Sequence, residues 1–194
     1  MRLRGILLGA ALLAAIPLSA QDKSQERVLD TQRSSITIFV GKSGLLSAAA
    51  HDHTISAPIF SGTVRESTAP RIEFTIETAK MTVKPDSRID PKDQAAIQMH
   101  MEEMTLETKK YPEIAFRSSH IERIADGQWK VDGDLSLHGV TKPVSLNVKQ
   151  SGNSWTTHTV LKQTDFGIKP LSIGGGMIKV KNEVEIGFQI FARQ

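Results

Sequence analysis

Apolar side chains return at every second position in one segment of this chain after another, and that spacing constrains the fold more than any other feature. Ile36, Ile38 and Val40 alternate with Thr37 and Phe39, and Ile72, Phe74 and Ile76 alternate with Glu73, Thr75 and Glu77. Trp129, Val131, Leu135 and Leu137 are interleaved with Lys130, Asp132, Asp134, Ser136 and His138. The spacing persists in Val144, Leu146 and Val148, in Thr157, Thr159 and Leu161, and in Val184, Ile186, Phe188 and Ile190. Successive side chains of a strand point to opposite faces, so a period of two separates an apolar face from a polar one, where a helix needs a period near 3.6.

Asp126-Gly127, His138-Gly139, Ser151-Gly152-Asn153 and the Gly174 to Gly176 triplet punctuate these runs at spacings short enough for hairpins. Short links imply antiparallel neighbours. With further segments near His53 to Val64 and Glu113 to Ile124, the count reaches about eight strands, the number at which a closed barrel can hold one small ligand. The expected class is all-β with one helix, an eight-stranded antiparallel lipocalin-like β-barrel, with a sandwich as the alternative. Pro58 has no N–H for a central ladder, which predicts a bulge or bend there. One stretch breaks the alternation: Asp90-Pro91 supplies an N-cap and a first-turn proline, predicting a helix that ends near Leu106. Ile97, Met101 and Met104 recur along it with His100 on the same side, and such a helix must lie against an open end or a flank.

At the N-terminus, Arg2 and Arg4 precede an apolar run from Gly5 to Leu18 that closes on Ser19 and Ala20. The run is too short to span a bilayer and reads as a secretory signal peptide over residues 1–20, cut after Ala20, which implies a periplasmic protein. Residues 21–30 form an expected flexible lead, and 31–194 the domain. The leader holds two of the chain's 24 basic residues and none of its 21 acidic ones, leaving 22 against 21 in the mature part. That balance gives no electrostatic case for nucleic acid, and aromatic residues at 5% are too sparse for a base-stacking platform. Cysteine is absent, so no disulfide assists folding and thiol chemistry is excluded. The mature protein must bury a sizeable core unaided.

Motifs that would carry catalysis fail on context. Asp165-Phe166-Gly167 lacks the glycine-rich loop and strand lysine of a kinase, the glycine triplet lacks a Lys-Ser/Thr ending, and no G-x-S-x-G elbow occurs. His51-Asp52-His53 would place two imidazoles on one side of a strand, where they could share a metal ion. Spacing alone is weak evidence, and hydrogen-bonded histidines at a strand start are the commoner outcome. Met99, Met101 and Met104 crowd the helix. Plain packing is the usual role of such a stripe, but methionine also repacks readily around an elongated apolar guest.

Met101-Glu102-Glu103 and Lys110-Tyr111-Pro112-Glu113-Ile114-Ala115-Phe116-Arg117-Ser118-Ser119 begin a longer pattern. It continues through Val131-Asp132-Gly133-Asp134-Leu135-Ser136-Leu137-His138-Gly139-Val140-Thr141-Lys142 and Thr164-Asp165-Phe166-Gly167-Ile168-Lys169-Pro170. Together these resemble the YceI-like family of exported lipid-binding proteins, of which the chain looks like a divergent member. The resemblance implies a lipocalin-like barrel whose interior holds a polyisoprenoid chain, an isoprenoid quinone or polyprenyl lipid, for transport or storage. It implies no catalysis and no cofactor.

A strand of about 11 residues at ~3.3 Å per residue, tilted near 40°, gives a barrel roughly 27 Å tall, suited to a linear chain. From the alternation, Ile38, Phe74, Phe116, Leu135, Val148 and Phe188 are the expected ligand-lining residues, with Met101 and Met104 on the helix. The partner is an isoprenoid lipid or quinone, with at most transient membrane contact. The oligomeric state is left open, a homodimer included. The alternative reading is a metal- or redox-linked periplasmic enzyme using His51 and His53.

Overall fold

The computed structural model describes residues 25–193. The leader read over residues 1–20, and Gln21 to Ser24 of the lead, lie outside the described residues. The described residues contain twelve strands: β1 (Gln25–Val28), β2 (Ser35–Ser43), β3 (His53–Ala57), β4 (Ser61–Glu66), β5 (Arg71–Glu77), β6 (Thr82–Val83), β7 (Glu113–Ala125), β8 (Gln128–Leu137), β9 (Val140–Ser151), β10 (Ser154–Lys162), β11 (Ser172–Ile173) and β12 (Ile178–Phe191). All join one sheet in the order β1-β4-β5-β7-β8-β9-β10-β12-β2-β3-β6, with β11 on β12, and every pairing is antiparallel.

The expected class, antiparallel β with one helix, is what forms, but the count of eight strands is corrected to twelve. Proline explains part of the difference. Pro58, with Ile59 and Phe60, interrupts the segment expected to run from His53 to Val64, so β3 pairs with β2 and β4 pairs with β5. Three further strands of two to four residues, β1, β6 and β11, are too short to show any alternation. β1 also corrects the flexible lead: Gln25–Val28 pairs with β4, and Arg27 forms an ion pair with Glu66. Followed across the break at Pro58, the pairings run from β2 to β3, from β4 through β5, β7, β8, β9 and β10 to β12, and back to β2. The sheet curls round a shared interior.

The two ends of that interior differ. At one end, Leu29 and Ile190 are fully buried among Val131, Val148 and Trp155, and Leu29 bridges to Ala192. Above them the Phe74 and Phe116 rings lie 5.5 Å apart across neighbouring strands. At the other end the long connections gather: residues 44–52, 78–112 and 163–177 all leave strands on that side.

The helix forms where its start signals place it. α1 spans Pro91–His100, the Asp90 carboxylate accepts the Lys92 N–H at 2.8 Å, and Pro91 occupies the first turn, where a missing N–H costs nothing. It continues into a π turn, Met101–Thr105, closed by the Leu106 N–H donating to the Met101 carbonyl at 2.9 Å. Burial alone does not hold α1, for none of its residues is buried. Two glutamines one turn apart attach it. The Gln94 amide donates to the Asp86 and Ile89 carbonyls, and Gln98 accepts the Val83 N–H at 2.7 Å while donating to the Met81 carbonyl at 2.9 Å. Gln98 thus gives the outer edge of β6 the donor and acceptor that a neighbouring strand would supply.

Candidate functional site

The curled sheet and α1 enclose a hollow of about 550 Å³, within the roughly 300–1,000 Å³ of small-molecule sites. Alternation builds its wall strand by strand: Ile36, Ile38 and Val40 from β2, Phe74 and Ile76 from β5, Leu135 and Leu137 from β8, Ile186 and Phe188 from β12. Ala96, Ile97, His100 and Met101 close it from the helix side. Polar groups on the wall are few: His53, Asp93, His100, Thr105, Thr159, Lys162 and Gln163. Gln163 is buried and spends its amide on the Lys181 carbonyl at 2.8 Å, so it serves the fold.

Of the residues nominated from sequence, Ile38, Phe74, Met101, Phe116, Leu135 and Phe188 all lie on this wall. Two do not. Val148 points inward as its alternation requires, but it sits two positions past Leu146, where Trp155 and Val131 already fill the interior. Met104 is 69% exposed, and the π turn is the reason. An α-helix would set Met104 three residues beyond Met101 on the same stripe; widening the turn to i→i+5 swings Met104 outward and brings Thr105 and Leu106 to the hollow instead. Ile55, Ile76, Ile114 and Ile186 were legible from the same alternation but not singled out, whereas Phe166 ends a 3-10 turn and Ile168 follows it past Gly167, without any periodic signal.

The histidine trio does not form the strand-face pair. His51 and Asp52 precede β3, which begins at His53, and the Asp52 carboxylate accepts the Lys42 N–H at 2.9 Å. Among the described residues no group of three or more His, Cys, Asp or Glu side chains is placed to hold a metal ion. No such set surrounds His53 among the described residues. The ring of His53 instead faces the hollow, where burial, reinforced by the charge of His51 and opposed by Asp52 and Asp86, pushes its pKa below the ordinary value. Asp165-Phe166-Gly167 is a structural turn: Phe166 is buried on the wall and Gly167 has φ of 74°.

A polar clasp lies just outside the hollow. His138 Nε2 lies 2.9 Å from Glu107 Oε2, its Nδ1 faces the Phe166 carbonyl at 3.3 Å, and its ring packs on Tyr111 at 4.2 Å between centroids. The Thr78 hydroxyl donates to the Tyr111 carbonyl at 2.8 Å. These contacts fix the segment that returns from the helix to β7. Among the described residues, no helix is long and apolar enough to cross a membrane.

Known proteins repeat this architecture. A UPF0312 protein of Shewanella baltica (strain OS185) is 28% identical over 179 residues, covering 87% of each chain. BcnA of Burkholderia cenocepacia superposes with a TM-score of 0.64 at 20% identity, covering 85% of this chain and 99% of that one. A polyisoprenoid binding domain from Saccharophagus degradans, implicated in plant cell wall breakdown, superposes with a TM-score of 0.59 at 18% identity, covering 88% and 99%. The model of the YceI-like domain matches residues 28–192. With the quoted motifs, the curled antiparallel sheet and the single helix all in place, the chain belongs to the YceI-like domain family.

Proposed function

We propose that this protein binds a polyisoprenoid lipid, an isoprenoid quinone or polyprenyl lipid, by enclosing its hydrocarbon tail in the hollow between sheet and helix. One observation carries the reading: a hollow of about 550 Å³ whose wall is apolar on nearly every strand. The similarity in fold to a polyisoprenoid binding domain supports the same ligand class. Magnitudes favour a long tail. Each buried CH₂-sized group contributes about 0.8 kcal/mol, while association itself costs roughly 4–15 kcal/mol. Ten such groups barely offset that cost, so a tail of several isoprene units is needed for tight binding. Binding of this kind needs no catalytic group, and transport or storage of the lipid is the role that follows. Arg2, Arg4 and the apolar run after them support export to the periplasm.

Native mass spectrometry of gently purified protein should show a retained prenyl lipid, and a fluorescent farnesyl probe should bind delipidated protein. Leu137→Trp, which pushes an indole into the hollow from an existing wall position, should weaken the probe about tenfold or more while the melting transition persists. Protein that emerges without lipid and takes up no prenyl probe would overturn the reading.

A further inference from the structure

The long connections gathered at one end of the interior carry apolar residues that the hollow does not use. Leu45 is 92% exposed and Leu46 48%, in the loop after β2; Ile173 is 53% exposed and Met177 45%, in the hairpin before β12. None of the four lines the hollow. The two loops touch, because the Leu46 N–H donates to the Met177 carbonyl at 2.9 Å, and a side chain at Gly44 would meet that same carbonyl. They therefore form one apolar crest. Its position relative to the hollow follows from register: Lys179 pairs with Ser43 and Val180 with Lys42, while Val40 and Val180 are themselves on the wall. The crest stands at the rim, a few residues beyond the wall.

The two loops themselves carry charge of one sign, with Asp52, Asp165 and Glu183 lying just beyond their ends. Residues 41–51 and 166–182 contain Lys42, Lys169, Lys179 and Lys181 and no Asp or Glu. Lys169, Lys179 and Lys181 are exposed, and no ion pair engages them among the described residues. Lys42 is spent internally, its Nζ donating to the Ala50 carbonyl at 2.6 Å and so bracing the first loop. Exposed aliphatic tips ringed by free ammonium groups are the chemistry of a surface that rests on anionic headgroups and buries its apolar part in the acyl boundary.

We propose that this rim docks the protein on an anionic lipid bilayer, with Leu45, Leu46, Ile173 and Met177 entering the interface and Lys169, Lys179 and Lys181 holding headgroups. The mouth of the hollow then faces the membrane, so a prenyl tail passes between bilayer and wall without crossing water. This direct-transfer step rests on the lipid-binding reading above, while the docking itself does not.

The test is co-sedimentation of the full mature chain with vesicles of phosphatidylglycerol in phosphatidylcholine and with phosphatidylcholine alone, beside uptake of a soluble fluorescent farnesyl probe. The wild type should sediment with the anionic vesicles and be released by about 0.5 M salt, where screening shortens to a few ångströms. Leu45→Asp with Met177→Asp should lower sedimentation about tenfold or more, and Lys179→Ala should lower it about fivefold, with melting and probe uptake unchanged in both. Wild type that takes up the probe but ignores anionic vesicles overturns the docking and leaves lipid binding standing. Sedimentation that persists without probe uptake supports the docking and overturns the lipid-binding reading instead. Equal sedimentation of variants and wild type, or binding that appears only when vesicles carry a membrane protein, also overturns the docking.

Discussion

His138 and Glu107 meet at 2.9 Å, Nε2 against Oε2, and each does so from a backbone with positive φ, 52° and 47°. A non-glycine residue in that region costs about 1–2 kcal/mol. The side-chain contact, the Phe166 carbonyl at Nδ1 and the Tyr111 ring offset that cost. His138→Ala keeps the unfavourable backbone and loses all three partners, so it should destabilise by about 1–3 kcal/mol. His138→Gly loses the same partners but relieves the backbone, and should be the milder change by about 1 kcal/mol. Urea denaturation of both variants decides the point; an Ala variant as stable as Gly would show that the turn stores no strain.

Gln98 predicts a local effect. Its amide spans the Met81 carbonyl and the Val83 N–H, and α1 has no buried residue to take over if that link is cut. Gln98→Ala should cost about 1–3 kcal/mol because the Val83 N–H loses its partner. Amide hydrogen exchange should quicken across 81–105 more than in β7 to β9, whose ladders are long and paired on both sides. Gln98→Glu keeps the acceptor for Val83 but loses the donor to Met81, and brings its charge beside Glu102, which the amide now contacts at 2.6 Å. It should restore only part of the protection.

These residues mark how far the sequence could be read. Alternation placed Ile38, Phe74, Phe116, Leu135 and Phe188 on the wall because a period of two leaves no freedom once a strand forms. It could not say where the interior stops being hollow. Val148 obeys the same rule as Leu146 and is buried in the same cluster, yet Leu146 lines the hollow and Val148 does not. Met104 failed for a different reason, since helical spacing assumes 3.6 residues per turn and a π turn breaks that assumption without any signature in composition. The Gln98 link and the His138 clasp depend on segments distant in sequence meeting at the end where the long connections gather, which no local pattern encodes.

Gly133 gives a steric prediction. It lies at an inward position of β8, where a Cβ would stand 2.7 Å from Phe116 Cζ and 2.5 Å from the Arg117 carbonyl oxygen. The missing side chain is what lets the Phe116 ring lie across the strand. Gly133→Ala should therefore destabilise by about 1–3 kcal/mol through overpacking. Adding Phe116→Leu should recover part of that loss, because the ring contact goes and the backbone contact stays. A double-mutant cycle with no coupling between the two sites would refute the account.

His53 links the hollow to pH. Burial holds its pKa below the ordinary 6.5, so between the lowered value and 6.5 the unfolded chain binds more protons than the folded one. The stability tied to the neutral ring is full above 6.5 and is lost as pH falls through the folded value. A hydrocarbon tail against the ring removes more of its water and pushes the pKa further down, so the liganded protein resists protonation more than the free one. By linkage, probe affinity should be constant above pH 6.5 and fall only once the pH drops below the lowered pKa of the free folded protein. His53→Gln, which cannot titrate, should flatten both the melting temperature and the affinity over that range. Asp52 and Asp86 oppose the lowering, so Asp52→Asn should extend the loss of stability to lower pH and move the fall in affinity to lower pH. Equilibrium probe titrations across the range, with melting curves recorded in the same buffers, check each step, and a variant whose affinity still falls with acid would assign the pH dependence to another group.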